Sequence, residues 1–257
     1  MHDNISVPVV GVQIVASDSI KCLGVVLGNQ MTFNKDVGHV CNSCYYHICA
    51  LQHIRASMSE ETAKMLACTI DGSRMDYCSA LLTGMSDTNF NKLQWVQNTL
   101  ASVVTGVNRC DHITPVLAKL HWLPIWARIT FNIGTLVYRL RDMCQLFYLY
   151  VKLNHYTLVW ILRAADMSLL AKPSPPSMSP IGRRAFSYCV VKTWNNLPAD
   201  IRKATTLATF RNNLKKHLYQ ESFCSLFASW PIPTISSLHM TCNKYIYLFI
   251  YLYKWLR

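Results

Sequence analysis

The sequence predicts a mainly α protein: a short N-terminal β-hairpin, then a helical bundle, a basic C-terminal helix and an irregular apolar tail. Three observations carry this. Up to residue 28 the chain holds short Val- and Ile-rich runs that end at the turn signal Gly28-Asn29. From Phe33 the apolar residues recur at three- and four-residue steps, the spacing that lines one face of a helix. With 257 residues, 51% of them hydrophobic, the chain can bury a substantial core.

Taken in order, Ile5 to Val15 and the run Cys22-Leu23-Gly24-Val25-Val26-Leu27 read as the extended arms of a small hairpin, residues 1–32. Val37, Val40, Cys41, Cys44, Ile48 and Leu51 form the stripe of a first helix. Ser57 with Glu60 offers a capping box, with Ser59 as a neighbouring cap, for a second helix through Met65, Leu66 and Ile70. Asp87 can cap a third, striped by Phe90, Leu93, Val96, Leu100 and Val103 and ended by Gly106. A fourth follows Pro124, with Ile129, Ile133, Leu136, Val137 and Leu140 on one side. Successive helices with short connections predict a bundle over 33–171.

Residues 172–182 have a Pro- and Ser-rich linker composition. Behind them, 183–220 form an aromatic and basic segment with a helix near Thr206 to Tyr219, striped by Leu207, Phe210, Leu214 and Leu218. Arg211 and Lys215 edge that stripe and are expected to reach outward together. Residues 221–257 read as an apolar tail.

The formal net charge is +12, from 25 Lys and Arg against 13 Asp and Glu. Eight basic residues and the single acid Asp200 lie between Arg183 and His217, so this segment supplies seven of the twelve. A polyanionic partner follows, nucleic acid before an anionic membrane, with no sequence preference, because phosphate attraction is indifferent to base identity. Eleven cysteines show no framework spacing, and Met1-His2-Asp3-Asn4 opens no secretory signal. The expected location is therefore intracellular, nuclear or cytoplasmic, and not secreted. No membrane span is expected: Lys152 interrupts Met143 to Leu162, Pro231 and Pro233 interrupt Ser222 to Asn243, and Tyr245 to Tyr253 is far below the roughly 20 residues a span needs.

Four segments carry a family resemblance. They are Lys21-Cys-Leu-Gly-Val-Val-Leu-Gly-Asn-Gln-Met-Thr-Phe33; Gly72-Ser-Arg-Met-Asp-Tyr-Cys-Ser-Ala-Leu-Leu82; Leu120-His-Trp-Leu-Pro-Ile-Trp-Ala-Arg-Ile129; and Arg183-Arg-Ala-Phe-Ser187 with Thr193-Trp-Asn-Asn-Leu-Pro198, Ile201-Arg202 and Leu214-Lys-Lys-His-Leu218. In order and spacing they resemble the C-terminal, post-palm end of jockey-like LINE-type (non-LTR) retrotransposon reverse transcriptases, over roughly residues 20 to 220. The family carries an acid where Gly28 stands; residues 142–162 fit its pattern poorly, and nothing from Glu221 onward resembles it. The resemblance implies a thumb-like bundle that grips a template–primer duplex, with residues 1–32 bordering the palm that the parent enzyme would supply. It implies RNA or DNA as a partner and no small-molecule substrate.

Polymerase chemistry is not expected of this chain. Nucleotidyl transfer needs two metal ions about 4 Å apart on converging carboxylates, which the resemblance places in an Asp-Asp turn of the palm. No Asp-Asp occurs here, and Glu60-Glu61 opens a predicted helix, where negative charge suits the dipole. No catalytic residue and no metal ligand is assigned, and no cofactor, although the intact parent enzyme would need magnesium. Candidate phosphate contacts are Lys21, Arg55, Lys92, Arg109, Arg128, Arg183, Arg184, Lys203, Arg211, Lys215 and Lys216. The alternative is a helical interaction or membrane-associated protein with no nucleic-acid role.

Three other groups of residues have site-like chemistry. The segment His39-Val-Cys41-Asn-Ser-Cys44-Tyr-Tyr-His47-Ile-Cys49 has zinc-like residue types, but its cysteines fall on the apolar stripe and favour core packing. Cys110 with His112 or His121 lacks a third, orienting group. Trp122, Trp126 and Trp194 could stack on bases, yet their places beside Leu-Pro turns favour the core.

Overall fold

In the computed structural model the residues described are 6–9, 12–15, 17–28, 33–108, 111–145, 147–153, 168–171 and 185–227. They form a mainly helical protein with an N-terminal β region, as its sequence predicts. The β region is two hairpins rather than one: β1 (Ser6–Val9) with β2 (Val12–Val15), and β3 (Ser19–Cys22) with β4 (Val25–Gly28), both antiparallel. The second turns at Leu23 and Gly24, both at positive φ (48° and 87°), the hand that suits a two-residue hairpin. Along β4, Val25 and Leu27 are buried and alternate with half-buried Val26 and Gly28.

Helix α1 (Asn34–Ile54) buries Val37, Cys41, Cys44, Ile48 and Leu51, the expected stripe, with Val40 half-buried beside it. The 3-10 turn Arg55–Ser57 follows, so Ser57 is not the cap of α2 (Glu60–Arg74); Ser59 is, its Oγ accepting from the Thr62 amide at 3.2 Å. The apolar side of α2 also differs from expectation. Ala63 and Ala67 are buried, whereas Met65 and Leu66 are 64% and 41% exposed, because small side chains let α2 lie close on α1 and α3.

After a 3-10 turn at Ser79–Leu82, α3 (Asp87–Thr105) is capped by Ser86, one residue ahead of the expected Asp87, and ends on Gly106 at φ 71°. Leu93, Val96 and Leu100 are buried, while Phe90 and Val103 are half-buried against the same core. Helix α4 (Ile113–Leu120) closes on His121 in the left-handed region, and α5 (Ile125–Asp142) starts after Pro124. Helix α5 is the axis of the fold. Every residue from Phe131 to Tyr138 is buried, so the expected one-sided stripe becomes burial all round, under α3, α6 (Phe147–Tyr150), α7 (Phe186–Asn195) and α9 (Leu207–Phe227).

The short α8 (Ala199–Arg202) links α7 to α9. Thr206 caps α9, with Thr209 N to Thr206 Oγ1 at 3.1 Å. Phe210, Leu214 and Leu218 are buried, and Leu207 packs half-buried beside them. At Gly134 an added Cβ would lie 3.0 Å from Leu214 Cδ2, the close approach of α5 and α9. One apolar core runs from Val37 to Phe223, so α7 and α9 pack into the bundle. Residues 172–182 lie outside the described residues. Helix α9 continues past the expected boundary at 221 to Phe227, bending at the buried Phe223, and residues 228–257 of the tail lie outside the described residues. No described helix is long and apolar enough to cross a membrane.

Candidate nucleic-acid interface

The candidate cations divide by what surrounds them. Lys21 stands exposed on β3, Lys92 on α3, Lys203 just after α8, and Lys216 on α9. Side chains like these keep their charge in water and are free to meet phosphate.

Arg211 and Lys215 do not simply reach outward. Both are half-buried, with the guanidinium 5.8 Å and the ammonium 5.7 Å from the centre of the buried Phe131 ring. Their stems cover α5, and the ring face attracts both charges.

Arg55 and Arg128 hold the framework. Arg55 is half-buried and donates from Nε to the Val104 carbonyl and from Nη1 to the Met58 carbonyl, each at 2.9 Å. It ties the end of α1 to the end of α3. Arg128, expected among the phosphate contacts, is buried instead. Its Nη1 lies 3.3 Å from Asp76 Oδ1, and its Nε donates to the Leu123 carbonyl at 3.0 Å. The Gln97 amide donates to that same carbonyl at 2.8 Å. A cation so enclosed costs too much to leave without a counter-charge, which is why Asp76 meets it. Arg109, Arg183 and Arg184 lie outside the described residues.

These contacts join segments distant in the sequence. The Tyr77 hydroxyl donates to the Leu23 carbonyl at 2.5 Å, docking the hairpin turn on the 72–82 segment. The amide of Val26 donates to Asp36 Oδ1 at 2.9 Å, and burial pushes the Asp36 carboxyl up despite that bond. Cys78 lies beneath β4, its thiol pushed up to about 12 by burial, with the Asp36 charge adding to the shift. Further on, Asn132 Nδ2 donates to Ser79 Oγ at 2.6 Å. Trp194 Nε1 donates to the Ser168 carbonyl at 2.7 Å, and Asn195 bonds the backbone of Leu170 in both directions.

Cys41 and Cys44 point into the core; burial pushes the Cys41 thiol up, partly opposed by the Lys92 ammonium. Trp122 and Trp194 are buried, and Trp126 is half-buried against the same core. Cys110 lies outside the described residues, His112 is exposed, and His121 stacks on Tyr219 with ring centres 5.8 Å apart. Asp36 faces Val26, Asp76 faces Arg128, and Glu60 pairs with Lys119 at 3.0 Å; among the described residues no three His, Cys, Asp or Glu side chains gather.

A groove that residue type alone does not single out lies between α1 and α3. Gly38, Asn42 and Tyr45 line it from α1, and Asn91, Lys92 and Trp95 from α3, around a space of about 580 Å³. Trp95 is 69% exposed, and the signal for it lay in the sequence: a large aromatic off the apolar stripe of its helix.

In comparisons with known proteins, no family model, no curated protein and no solved structure matches this chain.

Proposed function

We propose that the chain is the post-palm, thumb-like part of a LINE-type retrotransposon reverse transcriptase, which grips a template–primer duplex by its phosphates and does not itself lengthen it. It acts inside the cell, in the nucleus or cytoplasm. One observation carries the reading furthest: the four segments that resemble the family touch one another in the fold. Tyr77 of the second segment holds Leu23 of the first, and Asp76 of the second pairs with Arg128 of the third. Helix α5, which starts in the third, packs Gly134 against Leu197 and Leu214 of the fourth.

In this reading Lys21, Lys92, Lys203 and Lys216 contact phosphate, and Arg211 and Lys215 add charge from their seat on Phe131. Such contacts carry no base information and release counterions on binding. The test is fluorescence anisotropy of the purified chain with a labelled RNA·DNA hybrid across a salt series. Three or four phosphate contacts give a log–log slope of about −3. Primer extension on a primed RNA template with magnesium is run beside it and should yield no product. Absence of hybrid binding at low salt, affinity that ignores salt, or nucleotide incorporation by the chain alone would each overturn the proposal.

A further inference from the structure

Helices α1 and α3 run side by side in the same direction: Asn89 Nδ2 donates to Asn34 Oδ1 at 2.6 Å near their starts, and Arg55 reaches the Val104 carbonyl near their ends. Their apolar stripes face inward, which leaves a groove along the outer seam of their first halves. Two aromatic side chains stand over it from opposite sides, Tyr45 on α1 at 39% exposure and Trp95 on α3 at 69%. The floor is open at Gly38, where a Cβ would meet nothing within 4 Å. An uncovered tryptophan beside a second aromatic, over an unfilled floor, is exposed apolar surface that a flat ligand can cover.

The rest of the lining selects the ligand. Asn42 and Asn91 each present an amide donor and an acceptor, Lys92 presents a cation, and no carboxylate lines the groove. The only acid of α3, Asp87, precedes Asn91 by a full turn. A matching ligand has a flat π face, hydrogen-bonding edges and an anionic link. An apolar peptide would leave the amides and the ammonium unanswered. A paired base does not fit either, since its faces are covered by its neighbours in the duplex. The space, about 580 Å³, lies within the range of small-ligand sites.

We propose that the α1–α3 groove holds an unpaired nucleobase of an RNA or DNA strand, stacked on Trp95 and Tyr45, with Asn42 and Asn91 on its edge and Lys92 on its phosphate. This goes beyond the duplex grip and stands on the groove alone.

The full chain is titrated with labelled oligouridylate, oligodeoxythymidylate and an abasic deoxyribose-phosphate strand of equal length. Tighter binding of either base-bearing strand than the abasic one, by about tenfold, is expected, since the abasic strand offers neither a ring to stack nor an edge for the amides. Trp95→Ala should abolish that preference and Trp95→Phe should keep most of it. Gly38→Leu fills the floor with a good helix former, so it should abolish the preference while circular dichroism melting stays at or above that of the parent chain. Equal affinity for base-bearing and abasic strands, or a preference untouched by Trp95→Ala and Gly38→Leu, overturns the proposal. So does a dimer in sedimentation that Trp95→Ala dissociates, because the groove would then be an interface between copies. Hybrid binding should survive Trp95→Ala; its absence from the parent chain, with the base preference present, counts against the duplex reading and not against this one.

Discussion

Removing the Asp76 carboxylate takes from the enclosed Arg128 guanidinium a carboxylate that lies against it. Both side chains are only 8% exposed, and the pair is 3.3 Å apart. Arg128 keeps its bond to the Leu123 carbonyl, so the charge is not wholly stranded, but that carbonyl is shared with Gln97. Breaking a buried pair from one side costs about 3–5 kcal/mol, because the partner's desolvation is no longer offset. Against the roughly 5–15 kcal/mol that holds a typical domain together, Asp76→Ala should lower the urea midpoint severely with little change in slope. Asp76→Asn keeps the shape and an acceptor and should lose less. Removing both charges together, with Asp76→Leu and Arg128→Met, should cost less than the two single changes summed, by about 0.5–3 kcal/mol of coupling. The assay is equilibrium unfolding followed by circular dichroism. A loss below about 1 kcal/mol for Asp76→Ala, the level of an exposed pair, would refute the reasoning, as would strict additivity in the double variant. The same series decides the role of Arg128: as a framework residue it moves stability and leaves the salt slope of hybrid binding where it was.

Three further outcomes follow from the same geometry. Lys92→Ala, Lys203→Ala and Lys216→Ala should each reduce the salt slope by about one, with unfolding free energy within about 0.5 kcal/mol of the parent; anisotropy and melting check the two halves separately. Gly38→Ala should stabilise α1 by roughly 0.5–1 kcal/mol in urea unfolding, since glycine is costly in a helix and the new methyl enters open space. His121 is held below its ordinary value of 6.5 by burial first and the Lys64 charge second. Below that value the unfolded chain takes up a proton that the folded one resists, so stability should fall as pH drops through about 6.5. His121→Asn, which tolerates the φ of 58° there, should lose that part of the dependence.

Helix faces were legible wherever packing follows the period of the backbone. The stripes of α1, α3 and α9 could be read because large aliphatic side chains recur there at three- and four-residue steps on the buried side. Helix α2 misled because Met65 and Leu66 are the larger apolar residues, whereas close approach to its neighbours favours Ala63 and Ala67. Helix α5 misled in the other direction. Counting one stripe says nothing about a helix whose polar residues, Asn132 and Thr135 among them, are also enclosed. Burial on every side depends on α7 and α9, which arrive from more than forty residues downstream.

The candidate site shows the same boundary in its chemistry. A basic residue in a sequence is a charge without an address. Arg55 and Arg128 became framework because carbonyl and carboxylate partners 49 and 52 positions away meet them in the fold. Lys92 and Lys216 stand exposed on the surface, with no such partner among the described residues. Trp95 carried a local signal, an aromatic on the side of α3 that the stripe leaves to water, but its meaning depends on Tyr45 and on the empty place at Gly38 across the seam. Periodicity tells which face of a helix is buried. What two exposed faces enclose between them is decided by the packing that sets the helices side by side, and here that packing leaves two rings and a cation around one open space.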